Sequence, residues 1–105
     1  MNMEKVTSYE EMGRILANER AVLVLLKSRQ CSVCDAVGAQ LLEWEKGVQE
    51  VSVKSVQIEE VPEVSGQWTV FTAPTLVFFV EEKEVWRGSR FIRWDELDRV
   101  IERVM

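Results

Sequence analysis

The two cysteines of this 105-residue chain fall within one short stretch, Cys31-Ser32-Val33-Cys34, and the chain has no histidine. Two thiols at this spacing meet across one helical turn, so one can attack a disulfide while the other resolves the mixed intermediate that results. The neighbouring residues indicate how such a pair is activated. An apolar run from Ala21 to Leu26 stops shortly before it, and an apolar stripe of helical period (Val33, Val37, Leu41 and Trp44) starts within it. A strand that ends and a helix that begins here put the first cysteine at the positive end of the helix. That position stabilises an anion by about 1 kcal/mol, and by up to about 2 when partly buried, which takes a thiol from about 8.5 to about 7. The thiolate fraction at neutral pH then rises from a few per cent to roughly half. Cys31 is therefore expected to attack and Cys34 to resolve. Arg29 adds positive potential near Cys31, and Asp35 disfavours a second thiolate at Cys34.

The pair has other conceivable uses. It closes too small a loop to staple a fold, so stability must come from the core. A structural zinc site needs four ligands, and two thiols without histidine supply only half of them; zinc would require a second subunit or carboxylates. Two inert, buried cysteines are the remaining alternative, since free cysteine is among the most buried residue types. Placement of the only two thiols at a strand-to-helix junction favours chemistry.

The elements that must position the pair alternate along the chain. Ser8 with Glu11 forms a capping box ahead of an apolar face at Met12, Ile15 and Leu16, which predicts a helix ending near Asn18. A weak strand near Lys5 and Val6 precedes it. The unbroken run Ala21 to Leu26 predicts a central strand covered on both faces, followed by a short polar stretch, Lys27 to Gln30. Val51, Val53, Val56 and Ile58 predict another strand, whose alternation slips at Ser55 and turns one polar residue inward. A short helix or irregular turn passes through Pro62 and Gly66. Thr75 to Val80 and Glu84 to Arg87 predict a hairpin joined by Glu81-Glu82-Lys83, without Asn-Gly turn chemistry. Trp94, Leu97, Val100, Ile101 and Val104 line one face of a last helix, with Asp95 and Glu96 early and Arg99 and Arg103 late, matching the helix dipole. This order predicts one α/β domain over residues 1–105, a central mixed β-sheet flanked by helices on both faces.

Composition excludes several function classes. Hydrophobic residues make up 47% and charged residues 30%, the balance of a packed globular protein. The formal charge is -5 with basic residues scattered among acids, so no nucleic-acid partner is expected. The apolar runs are far short of the ~20 residues needed to cross a bilayer, and the N-terminus lacks a secretory pattern, so no membrane association and a cytoplasmic location are expected. No Gly-rich phosphate loop or pair of catalytic carboxylates appears. Trp44 and Trp94 lie on helix stripes that face the core, and the four tryptophans are read as packing residues.

With the cysteine pair and the element order in place, the sequence resembles the thioredoxin family from its first helix to its last. Ala73-Pro74-Thr75, ahead of an apolar strand, looks like that family's proline loop, which faces the active site with a cis peptide. The resemblance implies the thioredoxin-like fold and thiol–disulfide exchange with protein or small-molecule disulfides. It also implies that Pro74 keeps its loop beside Cys31 and that the backbone of Ala73 pairs with an extended substrate segment. Gln30, Ser32, Val33 and Arg90 occupy the other positions expected to meet substrate. No bound cofactor is implied; the electron donor would be a flavin-dependent reductase or a low-molecular-weight thiol.

The sequence also departs from the family pattern. Gln30 stands in place of a tryptophan, Ser32-Val33 in place of Gly-Pro, Ala39 in place of a helix-bending proline and Arg90 near a usual glycine. Leu25 stands where a buried acid is expected and Ser55 where its lysine neighbour is expected, so the base thought to assist Cys34 is missing. These departures point to a specialised relative. They keep a second reading open: a binding module of the same fold with weak or no redox activity.

Overall fold

The computed structural model describes residues 3–48 and 50–105. In chain order its elements are β1 (Glu4–Val6), α1 (Tyr9–Asn18), β2 (Ala21–Lys27), α2 (Ser32–Glu45), β3 (Ser52–Gln57), α3 (Glu63–Trp68), β4 (Thr75–Val80), β5 (Lys83–Ser89) and α4 (Trp94–Val104). The strands form one sheet in the order β1-β3-β2-β4-β5. β1 and β2 run parallel to β3, as helical crossovers through α1 and α2 require, whereas β4 runs antiparallel to β2 and pairs with β5 as a hairpin.

The unbroken apolar run of β2 follows from its central place. Ala21, Leu23 and Leu25 face one layer, where they pack with Val37 and Leu41 of α2 and Leu97 and Val100 of α4. Val22, Val24 and Leu26 face the other, with Met12 of α1, Val64 of α3 and Val77 and Phe79 of β4. Both sides of the strand are therefore dry, and each such aliphatic side chain contributes about 1.5–3 kcal/mol by leaving water.

Local signals explain most boundaries. Ser8 caps α1, its Oγ accepting the Glu11 N–H at 3.0 Å, while the Glu11 carboxylate returns to the Thr7 N–H at 3.0 Å. In α4 the indole N–H of Trp86 reaches Glu96 at 2.8 Å, tying the helix start to β5. Trp44 and Trp94 stack with ring centroids 5.8 Å apart against the α2/α4 core, and their N–H groups donate to Asp98 and Gln40.

Three sequence expectations need correction. Val33 does not open the buried stripe of α2: it is 43% exposed, and the inward residues are Cys34, Val37 and Leu41. The cysteine itself is the apolar residue that starts the stripe. Second, β2 includes Lys27, expected in the polar stretch that follows the strand. Third, β5 runs from Lys83 to Ser89, so the hairpin turn is only Glu81-Glu82. Both turn residues are left-handed, with φ of 50° and 71°. That is the twist a two-residue hairpin favours, reached here without glycine or asparagine.

Candidate active site

The end of β2 and the start of α2 build the site. Glu59, after β3, accepts the Arg29 N–H at 3.2 Å and the Gln57 side-chain amide at 2.8 Å. The Gln57 contact first, and then the Arg29 N–H, hold its exposed carboxyl below the usual carboxylate range. This contact ties the β2–α2 loop to the end of β3. Gln30 then turns the chain with a left-handed φ of 53°, and Cys31 becomes the N-cap of α2.

The capping atom is the sulfur. Cys31 Sγ accepts the Cys34 N–H at 3.1 Å, and the Asp35 N–H reaches the Cys31 carbonyl at 3.3 Å. An N-cap side chain satisfies one of the helix's unpaired N–H groups, and an anion there is favoured by the same dipoles. The arrangement thus favours a thiolate on Cys31 when the pair is reduced. In this structure Cys31 and Cys34 are joined as a disulfide, with Cα atoms 5.2 Å apart. Cys31 is half-buried and Cys34 is 1% exposed, so the first sulfur is the one an incoming disulfide meets.

The Pro74 loop borders a neighbouring cavity, which shares Ser28 with that of the cysteines. The Ala73–Pro74 peptide bond is cis. The Thr75 hydroxyl lies 2.6 Å from the Thr72 carbonyl, to which it donates, and 2.9 Å from Ser89 Oγ. The Arg90 N–H donates to the Pro74 carbonyl at 2.9 Å, so the segment after β5 braces the same loop. Arg90 holds a left-handed φ of 63°, consistent with its standing near a usual glycine. Upstream, the Arg87 guanidinium donates to the carbonyls of Trp68 and Thr69 at 2.7 and 3.0 Å. Its pair with Glu84 holds that carboxyl below its ordinary range, chiefly through the hydrogen bond.

The predicted residues are only partly gathered. Gln30, Cys31 and Cys34 line one cavity of about 360 Å³ together with Lys27, Arg29, Asp35 and Glu60. Ala73 lines a second, of about 340 Å³, with Ile58, Val70 and Phe71; Ser28 borders both. Pro74 is buried, and Ser32, Val33 and Arg90 are exposed outside the two cavities. Leu25 and Ser55 are direct cross-strand neighbours, both buried, in the layer that contains Cys34. Asp35, expected near Cys34, and Lys27, which the sequence did not mark as a site residue, also surround the pair. Lys27 and Asp35 border the Cys31/Cys34 cavity and a further one of about 440 Å³ that touches Cys34 from the Leu25–Ser55 side. Alternation turns Lys27 inward, two positions after Leu25, once pairing with Gln57 extends β2 to it. Phe71 and Phe91, 80% and 89% exposed, adjoin the two loops. Among the described residues, no group of three or more metal-ligating side chains is assembled.

Comparison with known proteins agrees with this architecture. A thioredoxin-like protein of Bacillus subtilis, YdfQ, is 32% identical over 74 residues, covering 70% of this chain and 66% of that protein. Thioredoxin-2 of Pyricularia oryzae is 25% identical over 85 residues, covering 81% of this chain but 50% of its own length. The chain thus spans about two thirds and one half of these relatives. The solved structure of Plasmodium falciparum thioredoxin superposes with a TM-score of 0.84 at 21% identity, over 98% of this chain and all of that one, which shows the fold. The family model described as Thioredoxin matches residues 3–103. An unbroken match of that extent, on a five-stranded mixed sheet with a cysteine pair at its helix start, means that this chain belongs to the thioredoxin family.

Proposed function

We propose that this protein is a dithiol–disulfide oxidoreductase in which Cys31 attacks and Cys34 resolves. The observation that carries the reading is the N-cap geometry: a half-buried sulfur that accepts a helix N–H, three residues from a buried partner within bonding reach. In the reduced protein the Cys31 thiolate attacks one sulfur of a substrate disulfide. A mixed disulfide forms and the other substrate sulfur leaves as a thiolate, which takes a proton. Cys34 then loses its proton and attacks Cys31 Sγ, and the second substrate thiolate departs. Two electrons pass from the cysteine pair to the substrate. The left-behind disulfide is the state described here, and a flavin-dependent reductase or a low-molecular-weight thiol regenerates the dithiol. A reducing, cytoplasmic setting suits that cycle.

The substrate is a disulfide-containing protein or thiol compound presented at the rim. Ala73 offers its backbone to an extended segment, held in place by Pro74, and Gln30, Ser32, Val33 and Arg90 border the entry. The test is trapping. Cys34→Ser is expected to accumulate a mixed disulfide at Cys31 that names the substrate, and the parent protein is expected to reduce insulin disulfides. If Cys31 alkylates with the pH profile of an ordinary thiol and insulin stays oxidised, the reading is wrong.

A binding module of the same fold is the second reading, favoured by one observation: apolar Leu25 faces Ser55 where the resemblance implies a buried acid and lysine. Under it, Cys31→Ser retains partner binding and cellular phenotype. Loss of either rejects it.

A further inference from the structure

The face of the sheet under α2 carries a charge that the Leu25–Ser55 pair does not. Side chains alternate along β2, so Lys27 shares the face of Ala21, Leu23 and Leu25, the face that α2 covers. Its position is fixed: Lys27 pairs with Gln57 in the ladder, and its carbonyl accepts the Ile58 N–H at 2.8 Å. The stem is half-buried, and Lys27 lines both cavities that reach Cys34. One of these is also lined by Cys31, and the other by Leu25, Gly38 and Ser55. Other charged groups share these cavities with the cysteines. Asp35 of α2 lines both cavities, while Arg29 and Glu60 line the outer one. Glu60 is engaged by Lys5 at 3.0 Å. Among the described residues, Lys27 and Asp35 are in no ion pair, so they do not neutralise each other.

Building on the reading above, we propose that Lys27 is the electrostatic positioning residue of the cysteine pair, stabilising the thiolates of its reduced form in place of a buried acid–lysine couple. The physical basis is simple. An ammonium near a thiol favours the thiolate, and one on a half-buried residue is screened less than an exposed one. Asp35 opposes it, but as an exposed carboxylate it acts through more water. Stabilised thiolates make the dithiol the favoured partner of the redox couple, so Lys27 makes the protein a stronger oxidant than its packing alone would set.

The test compares Lys27→Met with Lys27→Arg, reading the pH titration of the Cys31 thiolate by ultraviolet absorbance and the equilibrium with glutathione. Lys27→Met is expected to raise the Cys31 thiol by about one pH unit. It is also expected to shift the equilibrium at about pH 7 toward the protein disulfide about twofold, equivalent to about 9 mV at about 29.6 mV per tenfold. Lys27→Arg is expected to restore the parent titration, and Asp35→Asn to move it in the opposite direction from Lys27→Met. Parent-like titration and equilibrium in folded Lys27→Met overturn the proposal. If the parent protein itself shows no thiolate titration below the ordinary range and no exchange, the underlying oxidoreductase reading has failed instead.

Discussion

The two faces of the central strand are built from the same apolar run but end differently. On the side of α1 and α3, Val22, Val24 and Leu26 meet Met12, Val56, Val64, Val77 and Phe79, a mainly hydrophobic layer in which buried Thr75, paired with Leu26, donates its hydroxyl to the Thr72 carbonyl. On the side of α2 and α4 the layer begins equally dry at Ala21 and Leu23. It then loosens around Leu25, where Ser55 and Cys34 enter and a cavity opens toward Lys27 and Asp35. One face therefore serves mainly to hold the sheet, its cavity bordered by Ile58, Val70 and Ala73, and the other opens beside Cys34 itself. The departure from regular packing marks the chemistry.

Truncation on the closed face is the strongest way to test that contrast. Leu26 is fully buried among Val, Met and Phe side chains. Leu26→Ala is expected to cost about 3 kcal/mol, the typical loss for a large-to-small change with partial collapse, read from chemical denaturation. The folded fraction should keep the parent rate of Cys31 alkylation. A changed alkylation rate in folded protein would mean that the closed face also tunes the site.

The contrast also shows what could be read from the residues. The run Ala21 to Leu26, the Ser8 cap and the α4 stripe announce their elements because burial and capping are local signals of residue type. The inward turn of Ser55 was visible as a slip in alternation. The depth of Cys34 is not: a reactive thiol and an apolar valine beside it make Val33 the natural head of the stripe, although 34, 37 and 41 have the helical spacing. Lys27 was hidden for a similar reason, because a lysine after an apolar run reads as the start of a loop. Only pairing with Gln57 keeps it in the strand, and pairing is a tertiary fact. The mutual placement of Pro74 and Arg90 follows from the β4–β5 register, Thr75 opposite Ser89, extended by one backbone hydrogen bond, and the register shift at Phe78/Phe79 hides that pairing from the residue types.

Arg87 sharpens the comparison from the rim of the closed face. It lies next to the inward Trp86 on β5, so it projects to the other side and holds the two carbonyls at the end of α3. Arg87→Met keeps much of the stem but removes both bonds, and is expected to cost about 2 kcal/mol. The pH dependence follows from Glu84, whose folded carboxyl is held below its unfolded value chiefly by the hydrogen bond from Arg87. The stability this adds is present above the unfolded value, near about 4.3, and is lost as pH falls through the lower folded value. Denaturation midpoints measured across acid pH should therefore fall less steeply in Arg87→Met than in the parent.

Ser55 tests the open face directly. Val fits a strand interior, and the adjoining cavity of about 440 Å³ leaves room for its methyl groups. Ser55→Val is expected to gain about 1 kcal/mol by replacing a buried hydroxyl with apolar surface. A loss would show that this layer is packed as tightly as the closed one, and the contrast between the faces would collapse.

The smallest effect belongs to the turn that joins β4 to β5, far along the chain from the cysteines and committed to neither face. Glu82 holds a φ of 71°, a conformation that costs a non-glycine residue about 1–2 kcal/mol. Glycine removes that cost but returns roughly half of it as extra freedom of the unfolded chain. The exposed contact of Arg20 with Glu81, at 3.7 Å, is untouched and contributes little. Glu82→Gly is therefore expected to stabilise by about 0.5 kcal/mol, the remainder of these opposing terms, with unchanged thiol reactivity. Urea titrations with replicate midpoints resolve a gain of that size. A destabilised variant would show that the hairpin depends on the Glu82 side chain, beyond the twist its backbone supplies.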